Sequence, residues 1–252
     1  MNYRMIVQYD GTRYEGWQRQ QRTAETVQGK LEAAAAAVTG ESVQVIGAGR
    51  TDAGVHAAGQ TANFHLAGKY RAKALEEALN RALPDDIAVS CLEEAPEEFH
   101  SRFRALRKVY RYRIRTGAAK KVFERRYVWQ YGKSLDLAAM ERAASFLTGT
   151  HDFTSFCGNK KMKKSAARTV YAIRFSEEAG ELRIDYEGNG FLQGMVRILT
   201  GTLVEIGEGK RWPEDAARAL AAKDRAEAGF TAPPQGLTLL SVVYEDGYGQ
   251  RK

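Results

Sequence analysis

Val43-Gln44-Val45-Ile46-Gly47-Ala48-Gly49-Arg50-Thr51-Asp52-Ala53-Gly54-Val55-His56 leads, after Ala57-Ala58-Gly59, into Gln60-Thr61-Ala62-Asn63-Phe64-His65-Leu66. Two apolar, strand-like runs flank a short turn bounded by glycines. Strands and helices interleave along the chain, and a hairpin expected around Ala179-Gly180 argues against a purely parallel sheet. Gly49 and Gly54 permit backbone angles that a side chain would forbid. Such a turn can push Asp52 outward into a cleft instead of burying it. An exposed aspartate has a reference pKa of about 3.9 and is ionised at neutral pH. It is then a nucleophile that needs no partner base. The residues alone leave a second reading open, a loop carboxylate bonded to nearby backbone amides.

Working outward, Tyr3, Met5, Val7 and Tyr9 alternate as a strand does. Asp10-Gly11-Thr12 is a turn, and Gly16 to Arg22 is a polar loop carrying Trp17. Val27, Leu31, Ala34 or Ala35, and Val38 have helical spacing, and Gly40 can end that helix. Val43 to Ala48 and Gln60 to Leu66 read as strands, Lys73 to Leu83 as a helix stopped by Pro84, and Ile87 to Leu92 as a strand. The second half repeats this rhythm. Strands are expected at Lys108 to Arg115, Thr169 to Phe175, Glu181 to Tyr186 and Leu237 to Tyr244. Helices are expected at Leu135 to Leu147, Phe191 to Ile206 and from Pro213 to Lys223. The expectation is an α+β protein of two ferredoxin-like α/β-sandwich halves, with a largely antiparallel joined sheet and a central basic cleft. The expected domains are 1–104, with the Asp52 turn, and 105–252.

The 252 residues suffice for one large or two small domains. Lys and Arg number 38 against 31 Asp and Glu, a net charge of +7. The excess is clustered: Arg102, Arg104, Arg107, Lys108, Arg111, Arg113 and Arg115 form one run, and Lys160, Lys161, Lys163 and Lys164 another. Such clusters suit a phosphate backbone or a solvated surface. Cys91 and Cys157 lie far apart, and the histidines lack ligand spacing, so neither a disulfide scaffold nor a metal site is expected. No apolar run approaches the roughly 20 residues that cross a bilayer, and the N-terminus does not read as a signal peptide. A cytoplasmic protein without membrane association is expected.

Several motifs share an order and spacing that carry a resemblance. They are Tyr9-Asp10-Gly11-Thr12, Gly16-Trp17-Gln18, Thr26-Val27-Gln28-Gly29 and Gly49 through His56 with Gln60. They continue with Ala78-Leu79-Asn80, Phe99-His100-Ser101-Arg102-Phe103, Tyr110-Arg111-Tyr112, Gly188-Asn189-Gly190-Phe191-Leu192, Met195-Val196-Arg197 and Ala232-Pro233-Pro234-Gln235-Gly236-Leu237. Nearly end to end, the chain resembles the TruA-type tRNA pseudouridine synthases.

The resemblance implies isomerisation of uridine to pseudouridine at nucleotides 38 to 40 of the tRNA anticodon arm. It implies no cofactor and no metal, and a homodimer that contacts tRNA through both subunits. Asp52 matches the family's catalytic aspartate, nucleophile or base. Arg50 matches the arginine that enters the space a flipped base vacates. Tyr110 matches the active-site tyrosine. On a strand, Lys108, Tyr110 and Tyr112 share a face, so only the resemblance selects Tyr110 over Tyr112. Arg197, a charge in an otherwise apolar helix, needs a partner. In the family that partner is the catalytic aspartate, whose pKa the pairing lowers. Leu237 matches a leucine near the base, or is a core strand residue. Gln18 and His56 are further expected substrate contacts. Lys160 to Lys164 would be a phosphate-binding loop or a merely soluble one. Two positions depart from the family pattern. Gly194 stands where members carry a larger polar residue, and Tyr14 where phenylalanine is usual.

Overall fold

A computed structural model describes residues 1–159 and 165–245. The expected 160–164 lysine loop lies outside the described residues. The protein is mixed α+β, with ten strands and five α-helices among the described residues. It divides into two compact units, Met1–Leu106 together with the segment from Thr238 onward, and Arg107–Leu237. The closing strand, from Thr238, lies with the first unit.

The first unit holds β1 (Asn2–Tyr9), α1 (Val27–Thr39), β2 (Ile46–Gly47), β3 (His56–His65), α2 (Ala72–Ala82) and β4 (Ile87–Ala95). β1 is central, pairing antiparallel with β3 (Val7 opposite Gln60) and with β4 (Val7 opposite Val89). β2 pairs antiparallel with the far end of β3, Ile46 opposite Asn63. The order β4-β1-β3-β2 along a βαββαβ chain is the ferredoxin-like arrangement. Tyr3, Met5 and Val7 are buried, as are Leu31, Ala34 and Ala35 of α1 and Leu75 and Leu79 of α2. The Thr26 hydroxyl accepts the Gly29 N–H at 3.2 Å, a cap worth about 1 kcal/mol. Gly40, at φ 75°, ends α1 in the left-handed region.

The second unit holds β5 (Arg107–Arg115), β6 (Trp129–Gln130), α3 (Leu137–Leu147), β7 (Gly149–Asp152), β8 (Ala167–Glu178), β9 (Glu181–Gly188), α4 (Met195–Gly207) and α5 (Asp215–Ala222). Its strands run in the order β5-β9-β8-β7, all antiparallel, with β6 a short parallel addition to the end of β5. The β8–β9 hairpin turns through Ala179 and Gly180, both at positive φ, as the tight primed turns require. The last strand, β10 (Leu237–Val243), runs parallel to β3 with Thr238 opposite His56.

Three boundaries differ from expectation for identifiable physical reasons. The strand expected over 43–48 contracts to Ile46–Gly47 because the Val45 N–H donates to the Glu32 carboxylate at 3.1 Å, not to a neighbouring strand. β3 starts at His56, since β1 keeps pairing as far as Tyr9 opposite Ala57. The helix expected from Phe191 starts at Met195, after Gly194 at φ 68°. β6 and β7 are too short to show a period in sequence.

Candidate active site

The Asp52 turn is gripped by backbone from several directions. The Asp52 carbonyl accepts the Val55 N–H at 3.2 Å, closing a turn with Gly54 at φ 76°. The Gly54 N–H donates to the Tyr14 carbonyl at 3.2 Å, and the Trp17 N–H to the Thr51 carbonyl at 3.1 Å. The Thr51 and Tyr9 hydroxyls lie 2.8 Å apart, and the Gln60 amide donates to the Gly49 carbonyl at 2.7 Å.

Gly11 and Gly16 explain why the loop over 10–17 can approach so closely. A Cβ on Gly11 would sit 2.0 Å from the Val55 carbonyl oxygen, and one on Gly16 (φ 91°) 2.6 Å from that of Thr51. Gly47 likewise leaves room for the buried Trp17 indole. The result is a rigid seat from which Asp52 emerges partly exposed and Arg50 exposed. Tyr14, the departure from phenylalanine, donates its hydroxyl to the Asp86 carboxylate at 2.5 Å beneath this seat.

His56 is only 3% exposed, and its Nδ1 accepts the Gly11 N–H at 3.0 Å. It therefore braces the 10–17 loop from inside. Gln18 donates to Gln28 at 2.6 Å, and Gln28 in turn donates to the buried Glu32 at 2.8 Å. Gln18, Arg19, Gln20, Gln21, Gln28 and Gln44 line a polar groove of about 460 Å³.

In the second unit, β5 places Tyr110, Tyr112 and Ile114 inward. Tyr110 is 7% exposed and meets Phe191 edge-on at 5.3 Å. Tyr112 is fully buried, donates its hydroxyl to the Pro233 carbonyl at 2.6 Å, and has its phenol pKa pushed up, chiefly by burial. That bond commits Tyr112 to structure.

Arg197 lies in the first turn of α4, where the helix dipole disfavours a cation. Its Nε donates to the Ala232 carbonyl at 2.7 Å, while the Ala232 N–H donates to the Arg197 carbonyl at 3.0 Å. The segment 232–237 is thus clasped to α4 at one end. Gly236, too close to the Tyr112 ring to carry a Cβ, seats it on β5 at the other. Leu237 follows, buried at the start of β10.

The basic run does not form one surface. On the outward face of β5, Arg111 makes a bidentate pair with Asp185 (2.7 and 2.8 Å) and Arg113 one with Glu181 (both 2.7 Å). Arg107 pairs with Glu187 at 2.5 Å, and Arg174 with the same carboxylate at 2.8 Å. Burial alone would raise the Glu181 carboxyl. The Arg113 and Arg183 guanidinia overcome that and hold it down to about 2. These arginines are neutralised by β9. The phosphate-binding reading does not extend to them.

A family model described as tRNA pseudouridine synthase matches residues 5–104 and 143–245. The chain belongs to that family. It is 46% identical over 241 residues to tRNA pseudouridine synthase A of Brevibacillus brevis, covering 96% of this chain and 98% of that protein. It is 45% identical over 243 residues to the protein of that name from a Thermoanaerobacter species (96% and 99%). With that of Geobacillus kaustophilus it shares 46% over 242 residues (96% and 93%). Pseudouridine synthases are isomerases. The Asp52 seat and the clasp of Arg197 on Ala232 both fall within the matched residues. The clasp was not legible beforehand, although the Ala232-Pro233-Pro234 motif marked its position.

Among the described residues no group of histidine, cysteine or acidic side chains could hold a metal. No described helix is long and apolar enough to cross a membrane.

Proposed function

We propose that this chain isomerises uridine to pseudouridine in the anticodon arm of tRNA, at nucleotides 38 to 40, as a cytoplasmic homodimer. The bond from the ribose to N1 of uracil breaks, the base turns, and a bond from the ribose to C5 forms. The proton leaving C5 is balanced by one gained at N1, so the reaction needs no redox or energy-carrying cofactor. Asp52 acts on the nucleotide, as nucleophile or base, and Arg197 serves as its counter-charge. Arg50 fills the space the flipped base leaves, its planar guanidinium suited to stacking. Tyr110 stacks on the uracil and takes part in the C5 proton transfer, and Leu237 supplies an apolar contact. Gln18 and Arg19 contact RNA along the polar groove. His56 supports the substrate by holding the 10–17 loop.

The observation that carries the reading is a partly exposed Asp52 on a turn held by backbone hydrogen bonds at Thr51, Asp52, Gly54 and Val55. Such preorganisation is what a reacting carboxylate needs. The test is an unmodified tRNA transcript tritiated at uracil C5. The chain should release tritium from positions 38 to 40, and Asp52→Ala should lower the rate at least about 10³-fold, or roughly 4 kcal/mol of barrier. Undiminished release by Asp52→Ala would remove the assignment.

A further inference from the structure

Phe103 is 79% exposed, far from the ordinary fate of a phenylalanine. It stands between Arg102 and Arg104, both exposed. No ion pair among the described residues involves either arginine, in contrast to Arg107, Arg111 and Arg113.

The loop that presents these side chains is rigid. His100 Nδ1 accepts the N–H groups of Arg102 (3.2 Å) and Phe103 (3.3 Å), and the His100 carbonyl accepts the Arg104 N–H at 3.0 Å. Burial, followed by the Arg102 charge, lowers the His100 pKa, which keeps Nδ1 free of a proton and able to accept. The imidazole also backs the Phe103 ring, with centroids 4.2 Å apart. Beneath them Ser101 is fully buried. Its N–H and hydroxyl donate to Asn63 Oδ1 at 2.9 and 2.6 Å, and the Tyr244 hydroxyl donates to its carbonyl at 2.7 Å. One face of an aromatic ring is therefore supported, the rest is open to solvent, and a cation flanks it on each side in sequence.

We propose that Phe103 is a stacking platform for an unpaired base of the tRNA, with Arg102 and Arg104 holding the adjoining phosphates. This deepens the function proposed above and rests on it. An aromatic face plus flanking guanidinia is the combination by which proteins hold single-stranded nucleic acid without reading its sequence. A supported ring loses little conformational entropy on binding.

The test measures the affinity of an unmodified tRNA transcript for the full chain and its variants, together with thermal melting and sedimentation. Phe103→Ala should weaken binding about 5- to 100-fold, the range for loss of one stacked base. Phe103→Leu should weaken it nearly as much, although it keeps apolar volume, while Phe103→Trp restores it. Melting should not change, because the ring is exposed. Equal affinity for Phe103→Leu and the parent would overturn the proposal. So would a change in sedimentation with tRNA affinity unaltered, which would mark a contact with a second copy. If the parent isomerises tRNA while Phe103→Ala binds normally, only the platform falls. If the parent forms no pseudouridine, the function proposed above falls with it.

Discussion

Arg102 and Arg111 belong to one basic run of the chain, and they end in opposite environments. Arg102 and Arg104 lie on an exposed loop around an exposed phenylalanine, without a carboxylate partner among the described residues. Arg107, Arg111 and Arg113 lie on β5, each tied to a carboxylate of β9. The register explains the second set. Arg111 is directly opposite Asp185, whereas Arg113 reaches diagonally to Glu181 and Arg107 to Glu187. Cross-strand pairs of opposite charge stabilise a sheet but leave little field for a polyanion. Clustered positive charge therefore marks an RNA surface only where the fold supplies no counter-charge.

The sharpest way to break this contrast is to remove Glu181, which is 4% exposed and shared by Arg113 and Arg183. Glu181→Ala should destabilise the protein by about 3 kcal/mol in urea unfolding, because two guanidinia lose a partner in a buried setting. Its tRNA affinity should stay within about twofold, apart from any gain from the arginines set free. A fall in affinity would show that β5 and β9 do touch RNA.

The same carboxylate has a pH signature. Its folded pKa lies near 2, below its ordinary 4.5. A depressed folded pKa gives stability that is complete above the unfolded pKa and lost as pH falls through the folded one. Melting temperature should drop between about pH 4.5 and pH 2, and Glu181→Gln should flatten that slope. An equal slope in the variant would remove Glu181 as its cause.

Arg102→Gln with Arg104→Gln should instead leave melting unchanged and raise the tRNA dissociation constant about tenfold, roughly 1.4 kcal/mol. Each should also reduce the slope of log affinity against log salt by about 0.9. An unchanged slope would remove the loop from the phosphate contacts. The smallest effect is expected at Arg111→Gln. Loss of a partly exposed bidentate pair should cost about 0.5–1 kcal/mol of stability, with the salt slope unaltered. A steep change there would erase the distinction between the two regions.

Much of the fold was legible in the sequence because its signals are local. Gly40 ends α1 as read, since a left-handed terminus involves only neighbouring residues. The inward positions 110, 112 and 114 follow from alternation. Gly194 was read as a departure from the family pattern. Its φ of 68° gives the departure a backbone reason. The Val45 N–H, by contrast, left its expected strand for Glu32, a partner on α1 that no local pattern announces.

By itself the sequence determined the α+β class, the Asp52 turn and the family likeness, because strand period, glycine geometry and motif spacing are written along the chain. Only the tertiary structure decided that Tyr112 spends its hydroxyl on the Pro233 carbonyl. It alone decided that Arg197 is clasped by Ala232, and which arginines are neutralised. Each of those outcomes depends on a partner distant in sequence. Distance in sequence says nothing about proximity until the strands have found their register.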